Sequence, residues 1–317
     1  MRKASLKKRM RRTMILLILF LLLLVSILYY YDSNEKYTSV SRERNHETVE
    51  NKGREKKNAT ERETSTALPP QSSGSESNVS SMKAGSKREH PMEKGKLVII
   101  IDDAGYSLKD LEPFLDFKGK LTISVLPQVL YSRESAERIK ASGKDLLLHL
   151  PMEANDGNDI GPGGIYVNST KEEVFKTIDA DFASVPGAAG ANNHMGSKVT
   201  SDSRMMNMVM EYFHKEKKYF IDSKTTAESK VEKYAEKWNV PVAERDIFMD
   251  NRPDEKEIEQ WLLKGMKIAE KKGRAILIGH VKHGQIVEVL NRLIPELNAK
   301  SIELVGIGDI MGDVRGN

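Results

Sequence analysis

The chain has 317 residues, 39% hydrophobic and 30% charged, with a formal net charge of +4 and no cysteine. Without disulfides, a folded region must hold together through its core, and the stretch after residue 91 is long enough to bury one. The positive excess comes partly from a basic N-terminal cluster, and no nucleic-acid-binding signature accompanies it.

That cluster contains Arg2, Lys3, Lys7, Lys8, Arg9, Arg11 and Arg12. An apolar run follows over residues 14–31, broken only by Ser26. It is close to the roughly 20 residues that span a bilayer. It exceeds the roughly 7–15 residue core of a signal peptide, and no small-x-small cleavage site follows it. Tyr29, Tyr30 and Tyr31 suit the far membrane interface. The reading is a basic cytoplasmic tail (1–13) and an uncleaved transmembrane signal-anchor (14–31), which puts the rest on the extracytoplasmic side of the cell membrane. A cleaved signal peptide is the alternative. Residues 32–93 are charged, rich in Ser, Asn, Glu and Lys, and poor in apolar periodicity. Such a segment cannot bury enough surface to fold, so it reads as a disordered stalk.

From residue 94 to 317 the texture changes to alternating strand-like and helix-like segments. The expected strands are 96–101, 121–126, 145–150, 188–192, 219–222, 240–243, 275–279 and 303–306. The expected helices are 107–117, 132–142, 171–184, 201–217, 227–238, 254–272 and 285–299. This alternation predicts a parallel sheet with helices outside, either a closed or nearly closed barrel or an open doubly wound sheet. Ser132 followed by Glu134 predicts a hydroxyl-capped helix start, and Gly143 and Gly273 read as left-handed helix ends. Met205, Met206, Met208 and Met210 read as core filler. The glycine-rich segment 153–170 matches no nucleotide-binding fingerprint and reads as a loop bordering the site.

Polar residues gather at the expected C-terminal strand ends, where parallel barrels keep their chemistry. The run LVIIIDDAG ends on Asp102 and Asp103, LLLHLPME carries His149 and Glu153, and GANNHMGS carries Asn192, Asn193 and His194. YFIDS supplies Asp222 and Ser223, and AILIGH supplies His280. A carboxylate and two imidazoles suit zinc or another divalent ion and leave a position for water. The preferred ligand set is Asp103, His149 and His194, with Glu153 as a further candidate. Side chains alternate along a strand, so Asp102 takes a different task, that of general base, while His280 donates a proton to the leaving group. His283 reads as a rim residue, and His46, His90 and His214 as surface residues. Lys198 and Arg245 would be needed for a phosphoester-hydrolase reading, yet no phosphate-cradling loop is visible.

In this order, DD after a hydrophobic strand, HLPME, NNHMGS, FIDS, RDIFMDN and IGH resemble the divergent polysaccharide deacetylases, a branch of the NodB-homology carbohydrate esterases. The resemblance covers about residues 96–311. It implies a deformed (β/α) barrel of about seven strands and a zinc-dependent N- or O-deacetylase acting on a cell-envelope glycan. It also implies that Asp102 is the base, Asp103 a metal ligand and His280 the acid. The better-known relatives carry His-x-x-x-His after the third strand where this chain has His149 and Glu153, so His194 is chosen as the second histidine ligand. Their arginine motif has its nearest counterpart in Arg245. The competing expectation is a catalytically weak barrel that binds glycan or an envelope protein as an anchored scaffold.

Overall fold

The computed structural model describes residues 95–312. The expected tail, span and stalk, with His46 and His90, lie outside them. Among the described residues no helix is long and apolar enough to cross a membrane.

The order is β1 (Gly95–Ala104), α1 (Leu108–Asp116), β2 (Thr122–Val125), α2 (Ser132–Ala141), β3 (Asp145–Met152), α3 (Lys171–Ser184) and β4 (Gly190–Met195). Then come α4 (Ser197–Ser201), α5 (Ser203–Lys215), β5 (Tyr219–Asp222), α6 (Val231–Trp238), β6 (Val242–Glu244) and β7 (Ile247–Phe248). The chain continues through α7 (Glu255–Lys272), β8 (Arg274–His280), α8 (Gln285–Ala299), β9 (Ile302–Val305) and α9 (Gly308–Met311). The sheet runs β6-β5-β4-β3-β2-β1-β8-β7, every described pairing parallel, with β9 added beside the start of β1.

Laid flat, eight strands would hold β6 and β7 roughly 33 Å apart. They are consecutive in the chain, however, and the step from Glu244 to Ile247 spans at most about 11 Å. The sheet must therefore curl until its edges meet. Arg245 N donates to Asp222 O of β5, beside one edge (3.0 Å), and Asp246 N to Ile276 O of β8, beside the other (2.8 Å). This is the parallel-strand architecture of a (β/α) barrel.

Strand periodicity separates two cores. Leu97, Ile99 and Ile101 of β1 pack outward with the helices, while Val98 and Ile100 face inward with Leu147, Tyr219, Ile221, Ile276 and Ile278. The inner columns are thus apolar at the bottom of the barrel, and the next inward residue of each strand lines its top.

Several local expectations shift. β1, β3 and β4 run to Ala104, Met152 and Met195, so Asp102, Asp103 and His194 lie within strands rather than just after them, while His149 is within β3 as expected. The Met-rich helix α5 opens after Asp202, whose side chain caps it by accepting from Met205 N at 2.8 Å, with the short α4 preceding it. Helix α6 starts at Val231, where Ser229 Oγ donates to Asp222 Oδ2 at 2.6 Å and accepts from Val231 N at 3.3 Å. Ser132 is inside α2 rather than its cap, and its hydroxyl donates to Leu126 O at 2.7 Å. The short strand β7 has too little length to announce itself by alternation.

The glycine-rich segment leans on one buried acid. Asp181, fully buried in α3, accepts from Gln128 Nε2 at 2.7 Å, while its Oδ2 has no partner. Gly163, at φ +73°, sits where a Cβ would overlap this carboxylate. Burial pushes the Asp181 carboxyl up to about 7, against the smaller opposing effect of the Gln128 bond. The folded state then keeps a proton that the unfolded chain releases near pH 4, so this residue's contribution to stability falls as pH rises from about 4 to about 7. Asp181→Asn should therefore gain about 2–4 kcal/mol at pH 8 and little at pH 4. Thermal melts at the two pH values check this, and equal shifts at both would reject it.

Candidate active site

The inner columns continue into polar residues at the top. Asp102 follows Val98 and Ile100, His149 follows Leu147, Ser223 follows Tyr219 and Ile221, and His280 follows Ile276 and Ile278. The register sets His149 beside Asn192, Pro151 beside His194 and Asp102 beside His280. Strict alternation would send Asp103 outward into the helix layer. Instead it adopts a left-handed backbone (φ +65°), and the β1–β2 register shifts between Ile101 and Ala104. This bulge turns the second carboxylate back over the mouth. A left-handed non-glycine residue costs on the order of 1–3 kcal/mol and is retained where the surroundings dictate it.

Asp103 Oδ1 lies 3.2 Å from both His149 Nε2 and His194 Nδ1, and these two nitrogens are 3.1 Å apart. Asn192 Nδ2 donates to both Asp102 oxygens (2.9 and 3.1 Å), leaving its Oδ1 to accept from Ser124 Oγ at 2.5 Å. That oxygen also lies 3.0 Å from His149 Nδ1, so Nδ1 carries a proton, and Nε2 is the nitrogen that faces Asp103 and would bind an ion once it gives up its own proton. Three potential ligand atoms therefore converge in a triangle, and Asp103 Oδ1 is buried without a hydrogen-bond partner. Ligands held about 2.0–2.1 Å from a tetrahedral ion are about 3.3–3.4 Å apart. The triangle fits a divalent cation, which would satisfy the orphaned oxygen.

The neighbouring carboxylates are driven in opposite directions. Burial dominates at Asp102 and raises its carboxyl, with His149 and His280 pulling the other way. Burial also opposes ionisation of Asp103, but the His149 and His194 imidazoles 3.2 Å away outweigh it and hold that carboxyl far below the usual range. His149 is disfavoured as a cation by burial, yet Asp102 and Asp103 lift it to about 9.

A second group faces this one. Asp250 accepts from the backbone N of His280 at 2.7 Å and lies 3.0 Å from His280 Nδ1 and 2.7 Å from His283 Nδ1. Its oxygens are already engaged by donors, unlike Asp103, so this cluster reads as a hydrogen-bonded support that leaves His280 Nε2 available. Burial works against a charged His280, but Asp250 outweighs it and the imidazole is raised. Phe248 stacks on the His280 ring (centroids 6.2 Å, 17° between planes), and the Arg245 guanidinium lies 3.7 Å from the Phe248 ring centre. Arg245 itself donates to Ser223 O (2.6 Å) and Lys224 O (2.9 Å).

Other candidates fall away. Glu153 is not in the triangle: its carboxylate accepts from Lys198 Nζ (2.5 Å) and Val167 N (2.8 Å). Lys198 and Arg245 are thereby both committed, which removes the phosphate clamp. Asn193 accepts from Ser223 N, and Asp222 is held by Ser229 and Lys224 N, so both serve the backbone. His214 is an exposed helix residue near Trp238.

Residues 99–311 match the family described as divergent polysaccharide deacetylase. The chain belongs to that family. A relative from Haemophilus influenzae, described as an uncharacterised protein, is 30% identical over 68% of this chain and 77% of its own length. The uncharacterised protein YibQ of Escherichia coli is 32% identical over 65% of each chain. Among solved structures, an uncharacterised protein from Agrobacterium tumefaciens shares the fold, with a TM-score of 0.65 at 18% identity, covering 70% of this chain and 91% of that one.

In this member of the divergent deacetylase family, the residue missed from the sequence is Asp250. It stands two residues after Phe248, whose side chain packs with the inner core, so the period of two gave its inward direction once β7 was recognised. Asp250→Asn should lower the His280 imidazole pKa, because burial then acts without the opposing carboxylate. Proton NMR titration of His280 in both proteins checks it, and an unchanged or higher value would remove Asp250 as the supporting charge.

Proposed function

We propose that this chain is a metal-dependent hydrolase that removes acetyl groups from a cell-envelope polysaccharide or glycan. The observation that carries the reading is the split pair: Asp103, strongly acidic and orphaned, faces two imidazoles, while Asp102 beside it is buried, raised and free of the triangle. Asp103, His149 and His194 would hold the ion. Zinc is the best match to a carboxylate–imidazole set, and it would supply Lewis-acid polarisation of the acyl carbonyl and of water.

The chain's own groups divide the proton work. Asp102, with a raised carboxyl, accepts the proton of the attacking water, and Asn192 holds its two oxygens in place. The water oxygen bonds the acyl carbon and the C–N or C–O bond breaks. His280, oriented by Asp250 and raised by it, gives its proton to the departing nitrogen or oxygen. Acetate and the free amine or hydroxyl result.

The same proposal includes an anchored, extracytoplasmic location for the barrel, supported by the basic cluster and the apolar run over 14–31. N-terminal sequencing of the mature protein should return a start before residue 14. A start beyond Tyr31 would remove the anchor.

The division of labour is tested on the intact chain by measuring bound zinc and acetate release together. Asp103→Ala should lose the metal, since one of three protein ligands disappears. Asp102→Asn should retain metal and lose about 10²–10⁴-fold in turnover, because an amide cannot take the proton. Metal loss in Asp102→Asn with retention in Asp103→Ala reverses the roles. If both variants keep metal and full activity, the deacetylase reading falls. A wild-type chain that releases no acetate from acetylated glycans supports the scaffold alternative.

A further inference from the structure

The end of the barrel opposite the mouth is basic. Its helix-to-strand connections 117–121, 142–144 and 216–218 carry Lys118, Lys120, Lys144, Lys217 and Lys218 against one acid, Glu216. Connections 185–189 and 239–241 hold no charged residue. At the mouth the balance reverses: the longest connection, 153–170, carries Glu153, Asp156 and Asp159 and no Lys or Arg. A cation in the last turn of a helix answers its dipole, as Lys140 does in α2. Lys120 stands well past Asp116, the end of α1, where that effect has fallen off.

Contacts join these groups into one band. Lys144 Nζ donates to Leu115 O (3.1 Å) and Phe117 O (2.9 Å), which ties the start of β3 to the loop bearing Lys118. A Cβ on Gly187 would lie 2.6 Å from Lys140 Nζ, so that ammonium rests on the loop before β4. Lys218 Nζ donates to the next carbonyl of the same loop, Ala188 O, at 2.9 Å. One cleft is lined by Lys140, Lys144 and Lys217, and a second by Lys118, Lys120 and Lys144, so the two meet at Lys144. Asp145 also lines the first cleft, but its Oδ2 accepts from Gly308 N at 2.7 Å. Lys118, Lys120, Lys140 and Lys217 are exposed, and none has a carboxylate partner among the described residues. Like charge is crowded here: burial, and then the Lys118 charge, hold Lys144 below the ordinary lysine range against the opposing Asp116.

We propose that this band docks the barrel on an anionic lipid surface, with the mouth turned away from it. Charge complementarity and the path of the chain both favour lipid. The polypeptide enters the barrel at this end, where Gly95 opens β1 and Lys96 is the register partner of Arg274. The apolar run 14–31 and its basic cluster lie upstream on that entering segment. A protein partner would call for an apolar centre in the interface. The exposed large hydrophobic residues, Tyr106, Leu130 and Tyr166, follow β1, β2 and β3 at the mouth, so among the described residues the basic end offers none. Headgroup phosphates need only ammonium groups, each strengthening the contact about fivefold near an anionic surface. The docking is independent of the deacetylase reading.

Because the chain has no cysteine, one introduced cysteine carries a unique fluorophore. Asn298→Cys places it beside Lys120 in a cleft at the basic end, and Asn155→Cys places it on the exposed mouth loop. The full-length chain is mixed with vesicles of phosphatidylcholine, with or without phosphatidylglycerol, that carry a headgroup quencher. The Asn298→Cys label should be quenched only with phosphatidylglycerol, and released at about 1 M salt, where the screening length falls to about 3 Å. The Asn155→Cys label should stay bright. Lys118→Ala combined with Lys120→Ala should lower the docked-to-undocked ratio about tenfold or more, while Lys118→Arg with Lys120→Arg keeps it. If thermal melts show the alanine variant unfolded, the salt and lipid comparisons decide. Equal quenching with both vesicle types, quenching that survives salt, or preferential quenching at the mouth overturns the docking. A label that responds to heparin but not to phosphatidylglycerol vesicles overturns it in favour of a soluble polyanion. Flotation with neutral vesicles reports the 14–31 run separately. A chain that floats with them but shows no lipid-charge-dependent quenching keeps the anchor and loses the docking face. One that floats only with phosphatidylglycerol keeps the face and loses the anchor.

Discussion

Asp102 and Asp103 bring two carboxylates to adjacent positions above an apolar barrel interior. At an effective dielectric of about 20, unit charges about 5 Å apart repel by roughly 3 kcal/mol, before either is charged for leaving water. The surrounding polar residues answer that penalty. Asn192 gives both N–H groups to the Asp102 side, His149 faces both carboxylates, and His194 completes the ring around Asp103. The result is asymmetric because the supplies are asymmetric: at Asp102 desolvation wins, and at Asp103 the two imidazoles win. A pair with separated proton affinities can hold a cation with one member and move a proton with the other.

Backbone geometry allows the asymmetry. A regular strand would place only every second residue over the mouth, giving Asp102 and burying Asp103 among the helices. The left-handed step at Asp103 and the register shift beside it bring both to the same end. On the opposite wall no such distortion is needed. Phe248 and Asp250 are two residues apart, so one faces the inner core and the other reaches His280 directly. The stack of Arg245 on Phe248 on His280 then fixes the imidazole plane from its flank. A second left-handed step occurs at Met195, the last residue of β4, directly after His194 (φ +52°).

Most of the barrel was legible because its strands are apolar runs such as 97–101, bounded by polar residues, and its helices carry clear caps and glycine stops. The triangle of Asp103, His149 and His194 was legible for the same reason: parallel strands bring their C-terminal ends together, so polar residues there are neighbours regardless of sequence distance. The bulge was not legible, since a left-handed Asp leaves no mark in periodicity. Nor was β7, two residues long, and with it Asp250 stayed hidden in a motif that was otherwise noticed. Asn192 was seen only as one of several amides. Its bond to Asp102 spans 90 positions in sequence and depends on three-dimensional register, not on local pattern.

The source of the second histidine reflects the same distinction between local and register-determined contacts. An i, i+4 pair after β3 would require the chain to coil there, but the strand continues through Pro151 and Met152 and pairs with β4. Extended backbone carries residue 153 roughly 13 Å beyond residue 149, too far for one ion. Glu153 is accordingly spent on the loop: it holds Lys198 and the Val167 N–H, and its own backbone N donates to Ile165 O at 2.9 Å. His194 instead enters from the next strand, one spacing of about 4.8 Å away, at a height fixed by the ladder. A ligand placed by sheet register moves only if the sheet moves, whereas one placed by a coil after the strand moves with the loop. Placing the third candidate donor at residue 194 rather than residue 153 therefore ties the triangle to the barrel wall.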